Sequence, residues 1–239
     1  MKLDLLVIAA HPDDAELTSG GTLLKMAGRG YAAGVLDLTA GEMGTRGTPE
    51  TRAREAARAS KILRLKWRGN LGLPDSDVQP TRENKLRVAH MIRELQPHTV
   101  ILPYWKGRHP DHYHAGELGY EACFLAGLAQ LPIDGEAFRP FKILYATAYA
   151  PFVRPSLIVD ITKEYERRRQ AILAYESQFR APKNARKGRV HIPLDQLEDR
   201  MSVLARYYGR MIGVRYAEGF ITREAMQVED VVKLPVRSI

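Results

Sequence analysis

The chain has 239 residues, of which 45% are hydrophobic, with one cysteine and a formal net charge of +8 at pH 7. This length is typical of one domain, so we expect a single domain over residues 1–239. No apolar run reaches the ~18 residues of a membrane span, and the acidic start at Asp4 does not suit a signal peptide. Cys123, the single cysteine, cannot form an internal disulfide. These features together predict a cytoplasmic protein with no membrane partner.

The positive charge is concentrated in arginine-rich stretches at 52–68, 167–169 and 183–189. Such stretches can bind nucleic acid, but the sequence has no aromatic-interleaved basic patch and no helix-turn-helix pattern. A positive electrostatic potential at the protein surface also attracts small anions. We therefore expect an anionic small-molecule substrate and no nucleic-acid partner.

Strand and helix patterns alternate along most of the chain. In chain order we predict a strand at 3–10, a helix at 20–28, a strand at 32–39, a helix at 49–63, a strand at 66–71, a helix at 82–95, a strand at 99–103, a helix at 113–128, strands at 143–147 and 157–161, and helices at 164–177 and 194–212. This alternation predicts an α/β fold, Rossmann-like, with a mostly parallel sheet covered by helices on both faces. The basic stretch 181–193 is predicted to be a loop.

Two short runs of similar composition follow the ends of predicted strands: His11-Pro12-Asp13-Asp14 and His109-Pro110-Asp111-His112. A single run of this kind is more often an ordinary turn at a helix start. Ligands of open α/β sheets bind at strand ends, however, so two such runs are expected to meet at one site. Histidine and carboxylate ligands suit a catalytic zinc ion, and the pair of runs therefore predicts a metal-dependent hydrolase.

Spacing suggests roles within the first run. His11 and Asp14 are three residues apart and can converge on one ion. Asp13, between them, must then point elsewhere. A carboxylate beside a metal but not bound to it can take a proton from the attacking water, so Asp13 is the candidate general base.

The second run leaves two assignments open. His109 and His112 are also three residues apart, so either can bind the metal while the other stands over the substrate. A protonated histidine in that second position could stabilise an oxyanion and protonate the leaving amine. Asp111 could hold this imidazole in its useful tautomer.

Three other functions compete with this interpretation. Two histidines and a carboxylate also form the facial triad of non-haem Fe(II) oxygenases, although the extra Asp13 argues against that chemistry. Gly20-Gly21, at a predicted helix start, could hold phosphate in a nucleotide-binding module, but the spaced G-x-G-x-x-G is missing. A nucleic-acid-binding protein would leave both His/Asp runs unexplained.

The motifs together resemble the LmbE-like (PIG-L) zinc-dependent N-acetylglucosamine deacetylases. The resemblance depends on residues 10–14 with Glu16, and on 20–22, 37–39, 41–47 and 108–112. The sequence looks most similar to the bacillithiol-biosynthesis branch, whose pattern recurs at Arg52 with Glu55 and Ala56, and at 70–75, 155–161, 174–179 and 216–220. The likeness extends over nearly the whole chain.

The resemblance implies roles for the residues of the two runs. Zinc is expected on His11, Asp14 and His112, although ferrous iron suits the same ligands. The position of Asp13 is that of the general base. The position of His109 is that of the acid or oxyanion partner, supported by Asp111.

The same resemblance implies the substrate, N-acetylglucosaminyl-malate, from which acetate is released. Arg52 is expected near the substrate, and Arg52 or Arg108 could bind the malate carboxylates as a bidentate partner. Asp75 could bind sugar hydroxyls. Family members form trimers or hexamers, so a homo-oligomer is expected. They often contribute a tyrosine to the site, for which Tyr207 and Tyr208 are open candidates. Whether the 181–193 loop contributes to the site is also open.

Overall fold

The computed structural model describes residues 1–180 and 194–236. Within these residues the strands are β1 (Leu5–Ala9), β2 (Ala33–Thr39), β3 (Trp67–Leu73), β4 (Thr99–Pro103), β5 (Lys142–Ala146), β6 (Leu157–Asp160) and β7 (Ala217–Ile221). The helices are α1 (Asp14–Gly28), α2 (Pro49–Leu63), α3 (Arg82–Leu95), α4 (Pro110–Ala126), α5 (Tyr165–Leu173), α6 (Glu176–Phe179) and α7 (Leu194–Ile212). The predicted 181–193 loop lies outside the described residues.

The strands form one sheet in the order β3-β2-β1-β4-β5-β7-β6. Neighbours from β3 to β5 pair in parallel, with Val7 opposite Val35 of β2 and Ile101 of β4. Strand β7 runs antiparallel to both β5 and β6. The predicted α/β fold with a mostly parallel sheet is confirmed.

The sheet is buried on both faces, as parallel sheets usually are. On one face Leu6 and Ile8 of β1 pack in a cluster with residues of α3 and α4. On the other face Leu5 and Val7 pack in a cluster with residues of α1, α2 and α5. All five residues of β1 are buried, which explains why its sequence is a continuous apolar run rather than an alternating one.

Local sequence signals explain several helix starts. Thr48 caps α2, accepting a hydrogen bond from the Thr51 amide at 3.2 Å, with Pro49 in the first turn. Thr81 caps α3 in the same way, through the Asn84 amide. The helix predicted to begin at Pro49 is confirmed, since a hydroxyl cap and an early proline both favour that start.

Several elements differ from the prediction. Helix α1 begins at Asp14, the last residue of the first run, rather than at residue 20, and α4 begins at Pro110 rather than residue 113, so that Pro110, Asp111 and His112 form its first turn. The helix predicted at 164–177 is divided into α5 and α6. Strand β7 was not predicted, since its five residues include Glu218 and Gly219 and lack a β-branched run.

The early start of α1 removes the basis for a nucleotide site at Gly20-Gly21. These glycines lie inside the helix, where a Cβ on Gly21 would come within 2.7 Å of the Ile161 side chain. They permit close packing of α1 and do not present free amides at a helix N-terminus.

The connections reverse direction between β1 and β4. The chain passes from β1 outward to β2 and β3, then returns to place β4 on the other side of β1. Crevices at such reversal points, beyond the carboxyl ends of the strands, are the usual ligand sites of open α/β sheets. Both His/Asp runs lie there. Of the helices in the described residues, none combines the length and apolar character needed to cross a membrane.

Candidate active site

The first run forms a tight turn between β1 and α1. The Asp14 amide donates to the His11 carbonyl at 3.2 Å, and the His11 amide donates to Asp14 Oδ2 at 2.9 Å. Between them Asp13 adopts φ 112°, a positive value that is uncommon for a residue other than glycine. Such strain costs about 1–3 kcal/mol and is concentrated at functional sites. The turn separates the Asp13 and Asp14 side chains, as the sequence predicted.

The second run begins α4. His109 precedes the helix and Pro110 occupies its first turn, which places the rings of His109 and His112 in a stack with centroids 4.6 Å apart. His112 Nε2 lies 3.3 Å from Asp14 Oδ1. The two runs, about a hundred residues apart in sequence, therefore meet at one place.

His11, Asp14 and His112 form a candidate metal site. Their ligand atoms all lie within 4.8 Å of one another, and His11 Nδ1 is 3.2 Å from Asp14 Oδ2. Two imidazoles and a carboxylate are a common ligand set for a catalytic divalent ion, with a further position open to water. A second combination, His11 with His109 and Asp111, satisfies the same distance limit.

The contacts of His11 favour the first combination. Its Nε2 lies 3.2 Å from both Asp75 Oδ1 and Asp111 Oδ2, while Nδ1 faces Asp14. Metal-binding histidines usually donate their other ring nitrogen to a carboxylate, which fixes the tautomer and ring orientation. Nε2 is therefore the nitrogen held by carboxylates, and Nδ1 is the nitrogen available to the metal.

The site carries an excess of negative charge that suits a cation. Burial opposes the charged form of His11, but hydrogen bonds to Asp111, Asp14 and Asp75 outweigh burial and raise its pKa to about 12. Carboxylates that favour a positive charge on His11 also favour a cation bound beside it. A divalent ion can take over this charge, so the residues fit a metal.

Asp111 has contacts other than those predicted. It is 1% exposed, accepts hydrogen bonds from the Ser76 and Val78 amides at 2.8 and 3.3 Å, and contacts His11. Burial opposes its charged form, but these hydrogen bonds outweigh burial and lower its pKa. The expected support of His109 is not seen among the described contacts. Asp111 instead holds the imidazole of His11.

Asp75 also differs from its predicted role in sugar binding. One carboxylate oxygen contacts His11 and the other accepts from the Met43 amide at 2.8 Å. Burial opposes ionisation, but the hydrogen bond to His11 lowers the pKa of Asp75 to about 2. Its position is that of a second carboxylate behind His11, and contact with a sugar hydroxyl stays a prediction.

Asp13 is paired with Arg52. The Arg52 guanidinium, 4% exposed, donates to Asp13 Oδ2 at 3.2 Å and also to the carbonyls of Pro12 and Gly41. Burial raises the pKa of Asp13 to about 8, and the charge of Arg52 acts in the opposite direction. Nη1 and Nη2 of Arg52 donate to these groups, whereas its buried Nε has no hydrogen-bond partner among the described residues. The guanidinium thus lies against the candidate base, and its contact with a substrate stays a prediction.

A cavity of about 890 Å³ opens beside the cluster. His109, His112 and Arg108 form part of its wall. Burial and then the neighbouring His112 and His11 lower the pKa of His109, and its buried Nδ1 has no hydrogen-bond partner among the described residues. His109 and Arg108 thus lie at the wall of this cavity, and their roles toward a substrate stay predictions.

The tyrosines have different positions. Tyr207 is half exposed on α7 and lines the cavity, and the Tyr208 hydroxyl is 2.8 Å from Thr147 Oγ1. A third tyrosine, Tyr149, contacts the candidate metal ligands, since its hydroxyl donates to Asp14 Oδ1 at 2.7 Å. Sequence reasoning missed it, because a lone tyrosine after β5 belongs to no motif.

Comparison with known proteins agrees with this site. The sequence profile described as PIG-L, GlcNAc-PI de-N-acetylase, matches residues 6–123, which include both His/Asp runs. The diacetylchitobiose deacetylase of Thermococcus kodakarensis is 33% identical over 228 residues, covering 90% of this chain and 81% of that protein. The chain belongs to the PIG-L (LmbE-like) family. The resemblance to this family drawn from the motifs is therefore confirmed, and the likeness to the bacillithiol-biosynthesis branch stays a prediction.

Two further proteins are similar to this chain over most of its length. A Bacillus anthracis protein named "Probable N-acetyl-alpha-D-glucosaminyl L-malate deacetylase 2" is 29% identical, covering 73% of this chain and 81% of that protein. The crystal structure of the conserved protein TT1542 from Thermus thermophilus superposes with a TM-score of 0.86 at 41% identity, covering 95% of this chain and 98% of that chain. Membership supports a deacetylase of N-acetylglucosamine-type substrates, whereas the relatives differ in the group that carries the sugar.

Proposed function

We propose that the protein hydrolyses the N-acetyl group of N-acetylglucosaminyl-malate in a metal-dependent reaction, releasing acetate and glucosaminyl-malate. The observation that carries the proposal is the convergence of His11, Asp14 and His112, with Asp13 on the same turn, beside a substrate-sized cavity. Family membership supports the amide bond of an acetylated amino sugar as the target.

His11 Nδ1, Asp14 and His112 Nε2 would hold the ion, for which zinc is our first choice and ferrous iron the alternative. A divalent ion there supplies Lewis-acid chemistry, lowering the pKa of water and polarising an amide carbonyl. Asp75 and Asp111 orient the His11 ring through its Nε2, the nitrogen that faces away from the ion. The protein's contribution would therefore be a fixed arrangement of these three side chains, of which His112 also lines the cavity.

Asp13 takes the proton of the attacking water. Arg52, 3.2 Å away, offsets part of the cost of burying the carboxylate and so keeps a larger fraction of Asp13 ionised near neutral pH. The strained backbone at Asp13 holds the carboxylate apart from Asp14, so that one aspartate binds metal while the other moves a proton.

His109 donates the proton that the leaving amine requires. The bond between the acetyl carbon and the sugar nitrogen breaks as His109 protonates that nitrogen, and the oxygen of the water departs with acetate. The pKa of His109 is lowered by burial, which makes its protonated form a stronger acid toward the amine. In the same position the imidazolium stabilises negative charge on the carbonyl oxygen.

The malate part of the proposal is supported by charge. Lys106, Arg108 and Arg200 line the cavity and are exposed, and no ion pair joins them to another residue in the part of the chain that the structure describes. Unpaired cations of this kind suit a dicarboxylate aglycone. The similarity to the named malate-conjugate deacetylase points the same way.

The test is acetate release from three substrates by zinc-loaded enzyme: N-acetylglucosaminyl-malate, diacetylchitobiose and N-acetylglucosamine. We expect the malate conjugate to give the largest kcat/KM. Preference for diacetylchitobiose would keep the deacetylase chemistry and overturn the malate assignment. Cleavage of none of the three would overturn both.

Asp13→Ala tests the base in the same assay. We expect turnover to be lost while zinc still binds, because Asp13 is not one of the three ligands. A variant with a near-normal rate would contradict the assignment of Asp13.

Two expectations from the resemblance complete the proposal, a cytoplasmic location and a homo-oligomer of three or six chains. Sedimentation equilibrium of the purified protein tests the assembly, and a monomer at micromolar concentration would contradict it.

A further inference from the structure

Tyr149 lies against two of the three candidate ligands at once. Its hydroxyl donates to Asp14 Oδ1 at 2.7 Å. Its ring stacks on His112 with centroids 4.5 Å apart and an interplanar angle of 12°. One side chain therefore restrains both a carboxylate and an imidazole of the cluster.

The backbone of Tyr149 is anchored by the turn that carries it. The Ala150 amide donates to the Thr147 carbonyl at 2.9 Å, and the Thr147 amide donates to the Gly219 carbonyl on β7 at 3.1 Å. The Thr147 hydroxyl contacts Tyr208 Oη at 2.8 Å, and both residues are fully buried. The turn is thus tied to β7 and α7, two elements outside the His/Asp runs.

We propose that Tyr149 is a positioning residue of the metal centre, holding Asp14 by a hydrogen bond and His112 by ring stacking in the geometry that binds the ion. None of the residues predicted from the sequence has this role. The inference rests on the metal site of the proposed function and is independent of which sugar conjugate is the substrate.

A carboxylate ligand has rotational freedom that a fixed hydrogen-bond donor removes. An aspartate can rotate about χ2 and offer either oxygen, so a fixed donor on one oxygen restricts which lone pair faces the metal. Partners of this kind, one shell beyond the ion, typically contribute 10- to 100-fold to metal affinity. The stacked ring restrains His112 in the same way, because rotation of its imidazole would break the parallel contact.

The phenol is suited to remain a donor. Burial raises its pKa well above the usual value, and the charges of Asp14 and Asp13 raise the pKa further. The neutral phenol is the form that donates to Asp14 Oδ1.

Two substitutions separate the two contacts. Tyr149→Phe removes the hydrogen bond and keeps the stacked ring, whereas Tyr149→Leu removes both. Tyr113→Phe is the matched control, because Tyr113 follows His112 on α4 and its hydroxyl has no hydrogen bond among the described residues. Thermal unfolding of the metal-free proteins establishes that each variant is folded.

The first readout is the zinc dissociation constant of the purified full chain, measured by competition with a chromophoric chelator. We expect Tyr149→Phe to bind zinc about 10-fold more weakly, Tyr149→Leu more weakly still, and Tyr113→Phe like the wild type. The second readout is the visible spectrum of the cobalt-loaded protein, whose bands report ligand geometry. We expect it to change in Tyr149→Phe and not in Tyr113→Phe.

Unchanged zinc affinity and an unchanged cobalt spectrum in folded Tyr149→Phe would overturn the proposal. Equal losses in Tyr149→Phe and Tyr113→Phe would also overturn it, since the effect would not be specific to Asp14. These measurements use no substrate. Failure of the deacetylase proposal would therefore appear as missing acetate release with the metal affinities still ordered as expected.

Discussion

Replacement of Arg52 by glutamine should move the pH dependence of the reaction. Asp13 must be ionised to accept a proton, so its pKa sets the acidic limb of the kcat/KM profile. Arg52 opposes the rise in pKa that burial imposes on Asp13. Without the guanidinium the pKa rises further, and the acidic limb moves to higher pH.

The size of the shift follows from the 3.2 Å between Arg52 Nη2 and Asp13 Oδ2. Coulomb's law gives about 1.3 kcal/mol at this distance in a water-like dielectric and about 5 kcal/mol at an effective dielectric of 20. One pH unit corresponds to about 1.36 kcal/mol, and an adjacent arginine typically lowers a carboxyl pKa by about 1 to 3 pH units. We expect the limb to move upward by about 1 to 3 pH units.

The assay is acetate release from zinc-loaded Arg52→Gln, followed as kcat/KM across pH. A bound metal lowers the pKa of Asp13 in both proteins and so does not change the sign of the difference. Arg54→Gln is the matched control, because it removes an exposed arginine from the same helix and should leave the limb in place. A limb that stays fixed or moves to lower pH in folded Arg52→Gln would refute the argument.

Three further changes have defined outcomes. Asp111→Asn removes a carboxylate charge from behind the candidate ligand His11 and should weaken zinc binding about 10- to 100-fold in chelator competition; unchanged affinity would contradict that role. Arg108→Gln should raise KM for the malate conjugate about 10-fold, a loss of about 1.4 kcal/mol, and leave the KM for neutral N-acetylglucosamine unchanged. Gly219→Ala would place a Cβ 2.8 Å from Thr147 Oγ1 and should destabilise the fold by about 1–3 kcal/mol; Gly28→Ala, with open space around it, should not lower the melting temperature in the same way.

Much of the fold was predictable because it depends on local patterns. The apolar runs that became β1, β2 and β4 are buried on both faces of the sheet, and hydroxyl caps and prolines mark the helix starts. Strand β7 was missed because its pairing with β5 and β6 is a tertiary contact. Its sequence, with Glu218 and Gly219 at its centre, carries no strand pattern.

Which residues gather at the site was predictable, but their hydrogen-bond and ion-pair partners were not. Spacing within each run placed His11 with Asp14 and His109 beside His112. The partners of these residues come from distant segments, so sequence order does not reveal them. Asp111, expected to support His109, contacts His11. Arg52, expected near the substrate, pairs with Asp13, and Tyr149 was not expected.

Stepwise zinc addition to metal-stripped enzyme, with acetate release from the preferred N-acetylglucosamine conjugate as the signal, tests the central claim most directly. We expect activity to rise linearly to one zinc per chain and then to stop rising, with no recovery in folded His112→Ala. Full activity in the stripped enzyme, or equal recovery in His112→Ala, would contradict a metal-dependent deacetylase built on His11, Asp14 and His112.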